Sequence, residues 1–251
     1  MANLPTAIFT IFAPMHNLDI LYNDTILAAQ EQQVQVEAPV RELSIGFVKD
    51  EEPMGEFVIM TPAAVQSLVD DDIHVYMQHG FSAGSAYLDT DYADVGVEFV
   101  DDFYLLASMA RVLVKFQPFT EEQVALMREE QVLFSTQDAA LVSREYIEAI
   151  NAKRIAALAM NFIEDHKGGR ITDRILTETL SVTGMNIALS NFLLPLVTEL
   201  AANTRLRFAL QKRPVLMESV YCYAGQVCHK EFAELLGLPY RDIVTLCWDL
   251  N

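Results

Sequence analysis

Basic side chains are scarce in this chain: 17 Lys and Arg stand against 35 Asp and Glu in 251 residues, a formal net charge of −18. Nucleic-acid backbones and anionic membranes both reward Lys/Arg-rich faces, so neither is expected as a partner, and the surplus of carboxylates reads first as a solubility device. Cysteine is rarer still. Cys222, Cys228 and Cys247 all fall late, form no C-x-x-C pair, and read as reduced thiols serving as small apolar residues in a cytoplasmic protein. Cys228-His229 would be half a metal site, but no second half stands at ligand spacing, so no metal is expected. Long apolar runs are also missing. Residues 1–14 are too short to span a bilayer, carry prolines at positions 5 and 14 and lack a basic start; they read neither as an anchor nor as a signal peptide. No other uninterrupted apolar stretch reaches membrane length, and a soluble chain is expected. Glycines spaced for a phosphate loop are absent too: Gly80 and Gly84 are not followed by Lys and lack the dinucleotide spacing.

What is present is core. With 52% hydrophobic and 21% charged residues the chain can bury a substantial interior. Residues 43–48, 73–77, 97–100, 111–116 and 131–136 are short apolar runs rich in Val, Ile, Phe or Tyr, and helix-like stretches separate most of them, the rhythm of a parallel α/β sheet. Thr61-Pro62 opens a helix with a hydroxyl cap and a proline at its first position, and Val65, Leu68 and Val69 follow as its apolar stripe. Asp70-Asp71-Asp72 ends that helix as a solvated turn, despite a metal-like look beside His74. Thr120 with its following glutamates starts a second capped helix around Val124 and Met127, and residues 143–151 a third around Tyr146, Ile147 and Ile150. A strand is expected at 155–160, and residues 164–170 form the clearest turn. Residues 1–42 read as an N-terminal extension, with a strand or arm at 7–13 and an alternating, hairpin-like stretch near Val34.

Over residues 43–138 the pieces fall into a recognisable order: Lys49-Asp50, Thr61-Pro62-Ala63-Ala64-Val65, Gly80 with Gly84-Ser85-Ala86, Asp89-Thr90-Asp91-Tyr92, and Gln131-Val132-Leu133-Phe134. This stretch resembles, without gaps, the amino-terminal substrate domain of alanine dehydrogenase and of proton-translocating transhydrogenase. The resemblance resumes at residues 188–195 and continues through Pro214-Val215-Leu216 and residues 234–239, matching the family segment that returns to complete the first domain. The nicotinamide-binding domain between these pieces has no counterpart. The resemblance therefore implies a three-layer α/β fold with a mostly parallel, flavodoxin/Rossmann-like sheet, a single domain built from 43–162 with 188–251. Residues 163–187 would be a helical bridge, a long helix whose face of Ile175, Leu176, Thr179, Leu180, Thr183 and Ile187 wants a second copy of the chain. A homodimer through 172–187 is the expected assembly, and no cofactor is expected.

Three positions depart from the family pattern. The arginine that binds the substrate carboxylate is replaced by Phe57, the catalytic lysine by Gln117, and the acid/base histidine by Asp138. Lys115 matches the family's other lysine. Phe57, Lys115, Gln117 and Asp138 thus mark the expected ligand cleft, with no catalytic residue among them. Three functions stay open: a non-catalytic, pseudoenzyme-like module binding a small molecule or a protein; an alanine dehydrogenase-type subunit working with a separate NAD-binding partner; and an unrelated activity in the same cleft, using Asp138, His79 and Lys115 with Gln117 orienting. The bland roles are a cap or turn for Asp138, a turn for His79 beside Gly80, and a side chain projecting to solvent for Lys115.

Overall fold

A computed structural model of the protein describes residues 43–51 and 55–249. The expectations for residues 1–42 lie outside them. Among the described residues eight strands make one sheet: β1 (Ser44–Phe47), β2 (His74–Gln78), β3 (Glu98–Val100), β4 (Val112–Val114), β5 (Val132–Ser135), β6 (Ala156–Ala159), β7 (Val220–Tyr223) and β8 (Gln226–Val227). Their order is 3-2-1-4-5-6-7-8, and the first six are mutually parallel. The chain moves outward from β1 to β3, crosses back beside β1 and continues outward through β6, which is the doubly wound arrangement. β7 and β8 extend that edge antiparallel, so the carboxy-terminal segment completes the sheet.

Helices follow as α1 (Pro62–Asp70), α2 (Asp89–Ala93), α3 (Phe103–Met109), α4 (Glu121–Leu126), α5 (Arg144–Ala152), α6 (Ile171–Glu178), α7 (Val182–Ala202), α8 (Leu206–Lys212), α9 (Val215–Ser219), α10 (Lys230–Leu236) and α11 (Ile243–Asp249). Both faces of the sheet are covered, which is why its strands read as continuous apolar runs. Successive strand residues point to opposite faces. Ile45 and Phe47, Val112 and Val114, and Val132 and Phe134 join one core with α1, α7 and α8. Leu113, Leu133 and Ala157 join the other with α3, α4, α5 and α10. Gly46 occupies the second face of β1 because nothing larger fits: a Cβ there would lie 2.9 Å from the Ala110 Cβ and 3.0 Å from Leu106.

Side-chain caps start the helices where the sequence places them. Thr61 accepts from the Ala64 N–H, Thr120 and Gln123 form a reciprocal capping box, and Ser143 accepts from Tyr146 N–H. The bridge departs from expectation. Instead of one long helix, α6 ends at Glu178, Thr179 turns to extended backbone, and Ser181 caps a new helix by accepting from Gly184 N–H. Its expected apolar face is thereby divided: Ile175 and Leu176 pack on the core, whereas Leu180 is fully exposed and Ile187 half exposed. α7 is long and apolar enough by composition to cross a membrane, but its Leu189, Leu193, Val197 and Leu200 are buried against the sheet, as in a core helix.

Candidate functional site

In open doubly wound sheets the crevice lies at the carboxyl ends of the strands, where the order reverses; here that is between β1 and β4. Two short segments meet there, residues 48–51 leaving β1 and residues 115–117 leaving β4. Lys115 is fully buried rather than projecting to solvent. Its Nζ lies 3.6 Å from Glu51 Oε1, donates to Gln123 Oε1 at 3.3 Å, and sits 5.9 Å from the Phe119 ring centroid. The reason is local: Gln123 is already fixed by the α4 capping box, and its Nε2 donates to Glu51, so the ammonium drops into a ready-made acceptor corner. Burial pushes the Lys115 pKa down, opposed by the charges of Glu51 and Asp50. Burial likewise raises Asp50, opposed by the Gln117 N–H, which donates to its Oδ1 at 2.8 Å, and by Lys115.

Phe57 is half-buried with its ring edge-on to Phe116, centroids 5.0 Å apart. Its segment is latched from α7. Asn186 Oδ1 accepts from Val58 N–H at 3.0 Å while its Nδ2 donates to Glu56 carbonyl, and Ser190 Oγ accepts from Thr61 N–H at 2.8 Å. Tyr92 adds a third tie, its hydroxyl donating to the Met60 carbonyl. The loop after β2 closes in as well: a Cβ on Gly84 would lie 2.7 Å from the Gly55 carbonyl oxygen, and Gly84 has a φ of +86° that favours glycine.

The expected cleft residues are only partly brought together. Phe57 reaches the backbone neighbour of Gln117, and Thr136 ties to the Phe116 carbonyl through both its N–H and its hydroxyl. Asp138, two residues further, is exposed and occupied in a turn, its Oδ1 accepting from Ala140 N–H at 2.9 Å and its carbonyl accepting from Leu141 and Val142. His79 is an exposed turn residue stacked on Phe99, with Nδ1 3.1 Å from Asp89 Oδ2. Asp89 also accepts from Gly80 N–H and the Ser82 hydroxyl, so it closes the β2–α2 loop. Asp138, His79 and Lys115 therefore share no acid/base geometry. Among the described residues no group of His, Cys, Asp and Glu could hold a metal, and the three cysteines are free and buried.

Sequence reasoning passed over Glu51, Gln123, Asn186 and Ser190. Gln123 carried a signal as the third residue of a capping box; the other three are tied to partners 64 or more positions away and carried none.

Residues 47–176 match the model of the family described as "Alanine dehydrogenase/PNT, N-terminal domain", just over half of the chain. The chain belongs to that family. A solved chain titled L-alanine dehydrogenase superposes with a TM-score of 0.63 at 13% identity, covering 76% of this chain and 98% of that one, a likeness of fold. The transhydrogenase from Sinorhizobium meliloti aligns over 47% of this chain and 35% of its own, at 20% identity and a TM-score of 0.42, too low to support an argument. No curated protein sequence matches.

Membership raises the question of a nicotinamide dinucleotide, and the sheet's own switch point does not suit one. A dinucleotide site needs a glycine-rich turn leading straight from β1 into a helix whose N-terminus faces the pyrophosphate. Here β1 runs on into Lys49, Asp50 and Glu51, and α1 begins only at Pro62. Two carboxylates stand where phosphates would approach. Between β6 and β7 the described chain holds a 3-10 turn at Met160–Phe162 and the helices α6 to α9.

Proposed function

We propose that this chain is a non-catalytic member of the family, a substrate-domain module that binds a small molecule or a protein without oxidising or aminating it. The observation that carries the reading is the self-satisfied crevice: Lys115 is sealed beneath Glu51 and Gln123, Asp50 is engaged by the Gln117 backbone, and Phe57 packs on Phe116. A catalytic cleft would hold such groups poised toward substrate. The three replaced positions point the same way. Phe57 cannot clamp a carboxylate, the neutral amide of Gln117 cannot supply an ammonium, and Asp138 serves a turn.

The charge balance of this edge then sets what a ligand must be. Asp50, Glu51 and Asp138 border it against one exposed lysine, Lys49, while Lys115 is enclosed, so amines and neutral molecules are favoured over carboxylates. Two measurements test the reading together. The purified chain with NAD and L-alanine, or NADH with pyruvate and ammonium, should show no change in nicotinamide absorbance. Calorimetric titration with matched amine, amide and carboxylate ligands should rank the carboxylate last. Nucleotide-dependent turnover would refute the non-catalytic reading, and tight carboxylate binding at this edge would refute the charge argument.

A further inference from the structure

At the opposite edge of the sheet, where β4, β5 and β6 begin, a cavity of about 270 Å³ is lined by Arg111, Arg154, Arg205 and Arg207 together with Glu130 and Tyr223. In a chain with only 17 Lys and Arg, four arginines and one glutamate around a single cavity is a concentration that the acidic composition does not produce by default.

Each arginine is placed differently. Arg111 immediately precedes β4, is half-buried, and donates Nη2 to the carbonyls of Leu200 and Ala201 in the last turn of α7, where the helix dipole favours a cation. That fixes its plane. Arg154 follows α5 at a φ of +55°, a position that usually takes Gly or Asn; an arginine there costs about 1 kcal/mol of backbone strain. Its Nε lies 3.4 Å from Glu130 Oε1 at the cavity's rim. Arg207 carries its guanidinium 4.9 Å from the Phe208 ring. Arg205 is exposed, and its side chain makes no hydrogen bond or ion pair with any described residue.

We propose that this cavity binds a small oxyanion of two or more charges, a phosphate group free or carried on a small molecule. The guanidinium fork presents paired N–H donors that match two oxygens of such a group. The volume lies just below the usual range of ligand pockets, which starts at about 300 Å³, and so suits a small molecule. An extended polyanion is disfavoured by the chain's net charge of −18. The chain's net charge of −18 does not forbid the local site: at physiological salt, charges beyond about 8 Å are largely screened, whereas the cavity's own cations are not.

The test uses the full chain with inorganic phosphate as probe, by calorimetry and thermal melting, against chloride at matched ionic strength. Saturable phosphate binding is expected, with a rise in melting temperature that chloride does not give. Arg205→Ala and Arg154→Gly should each weaken the affinity about tenfold. Both should fold, since Arg205 is exposed and glycine relieves the positive φ at position 154. Lys167→Ala, which removes a cation from the exposed 164–170 turn, should leave the affinity unchanged. The proposal is overturned if phosphate acts no differently from chloride, if the Arg154→Gly/Arg205→Ala double variant binds as the parent does, or if Lys167→Ala weakens binding equally.

Discussion

Replacing Lys115 with methionine should leave the protein as stable as before, or make it more stable. The ammonium has lost its water entirely, and its recompense is loose: 3.6 Å to Glu51 and 3.3 Å to Gln123, against the ~2.7–2.9 Å of a strong charge-assisted bond. Exchanging a buried ion for an apolar side chain of similar length is neutral or stabilising by about 1–4 kcal/mol. The low end applies, because Glu51 is 60% exposed and is solvated when its partner goes. A gain of about 1 kcal/mol would raise the melting temperature by roughly 2–4 °C in a domain of this size. Glu51→Gln is the contrasting perturbation. It strands the buried ammonium and should cost about 1–2 kcal/mol, below the usual penalty for a broken buried pair because Glu51 is exposed. The pH dependence supplies an independent sign. Burial holds the Lys115 pKa below its ordinary 10.5, so between the two values the unfolded chain binds more protons and stability rises with pH. The buried-charge cost is thus fully present below the folded pKa and gone above about 10.5. Buried Tyr92, Tyr146 and Tyr221 have raised pKa values and act in the opposite direction above pH 10, so the informative quantity is the difference between parent and Lys115→Met. Urea denaturation of all three proteins at pH 7 and pH 10 measures it. A methionine variant less stable than the parent by more than about 2 kcal/mol at pH 7, or a parent-minus-variant difference that does not grow with pH, would refute the reasoning.

Gly46→Ala should destabilise by about 1–3 kcal/mol, since its Cβ would meet the fully buried Ala110 and Leu106; a melting curve checks this, and Ala110→Gly in the same chain should recover part of the loss. Tyr146 and Tyr221 share one hydroxyl contact at 3.3 Å in the second core, so either Tyr→Phe change alone should cost about 1–3 kcal/mol and the double change little more than a single one. Strict additivity in a urea double-mutant cycle would show that the two hydroxyls do not depend on each other.

The fold was legible because its signals are local. β-rich runs of four to six apolar residues, Thr61-Pro62, the Thr120/Gln123 box and Ser143 each act within a few residues of themselves, and the helices start where those caps stand. The bridge between β6 and β7 was misread because one period ran on through Thr179 and Leu180, and apolar spacing alone hides Ser181, whose hydroxyl starts a new helix. The crevice entered the sequence reading only as a set of departures from the resembled family's pattern. Lys115 follows an apolar strand, and a lysine there ordinarily snorkels to water. What buries it is Glu51, in the loop after β1, together with Gln123, in the first turn of α4; their meeting is a product of the β1–β4 pairing, and no local pattern encodes that.

That division is what the proposed loss of chemistry on a persisting family fold rests on. The residues that specify the sheet lie inside the strands and under the helices, whereas those that carry chemistry sit just beyond the strand ends, where side chains are not needed for the core. Once such positions are released they tend toward contacts that satisfy them internally, because a buried group left without a partner costs more than a made bond returns. The contacts of the β1–β4 crevice support the proposed loss of chemistry: Gln117 contributes its backbone N–H to Asp50, Lys115 ends under Glu51, and Phe57 extends the apolar core onto Phe116. The Asn186 and Ser190 bonds then hold the segment that carries Phe57 from a helix more than 120 residues away, so opening the crevice for a ligand would require releasing several buried backbone hydrogen bonds at once. A module arranged this way is suited to present a fixed surface, and a ligand that does enter must repay the loss of that latch.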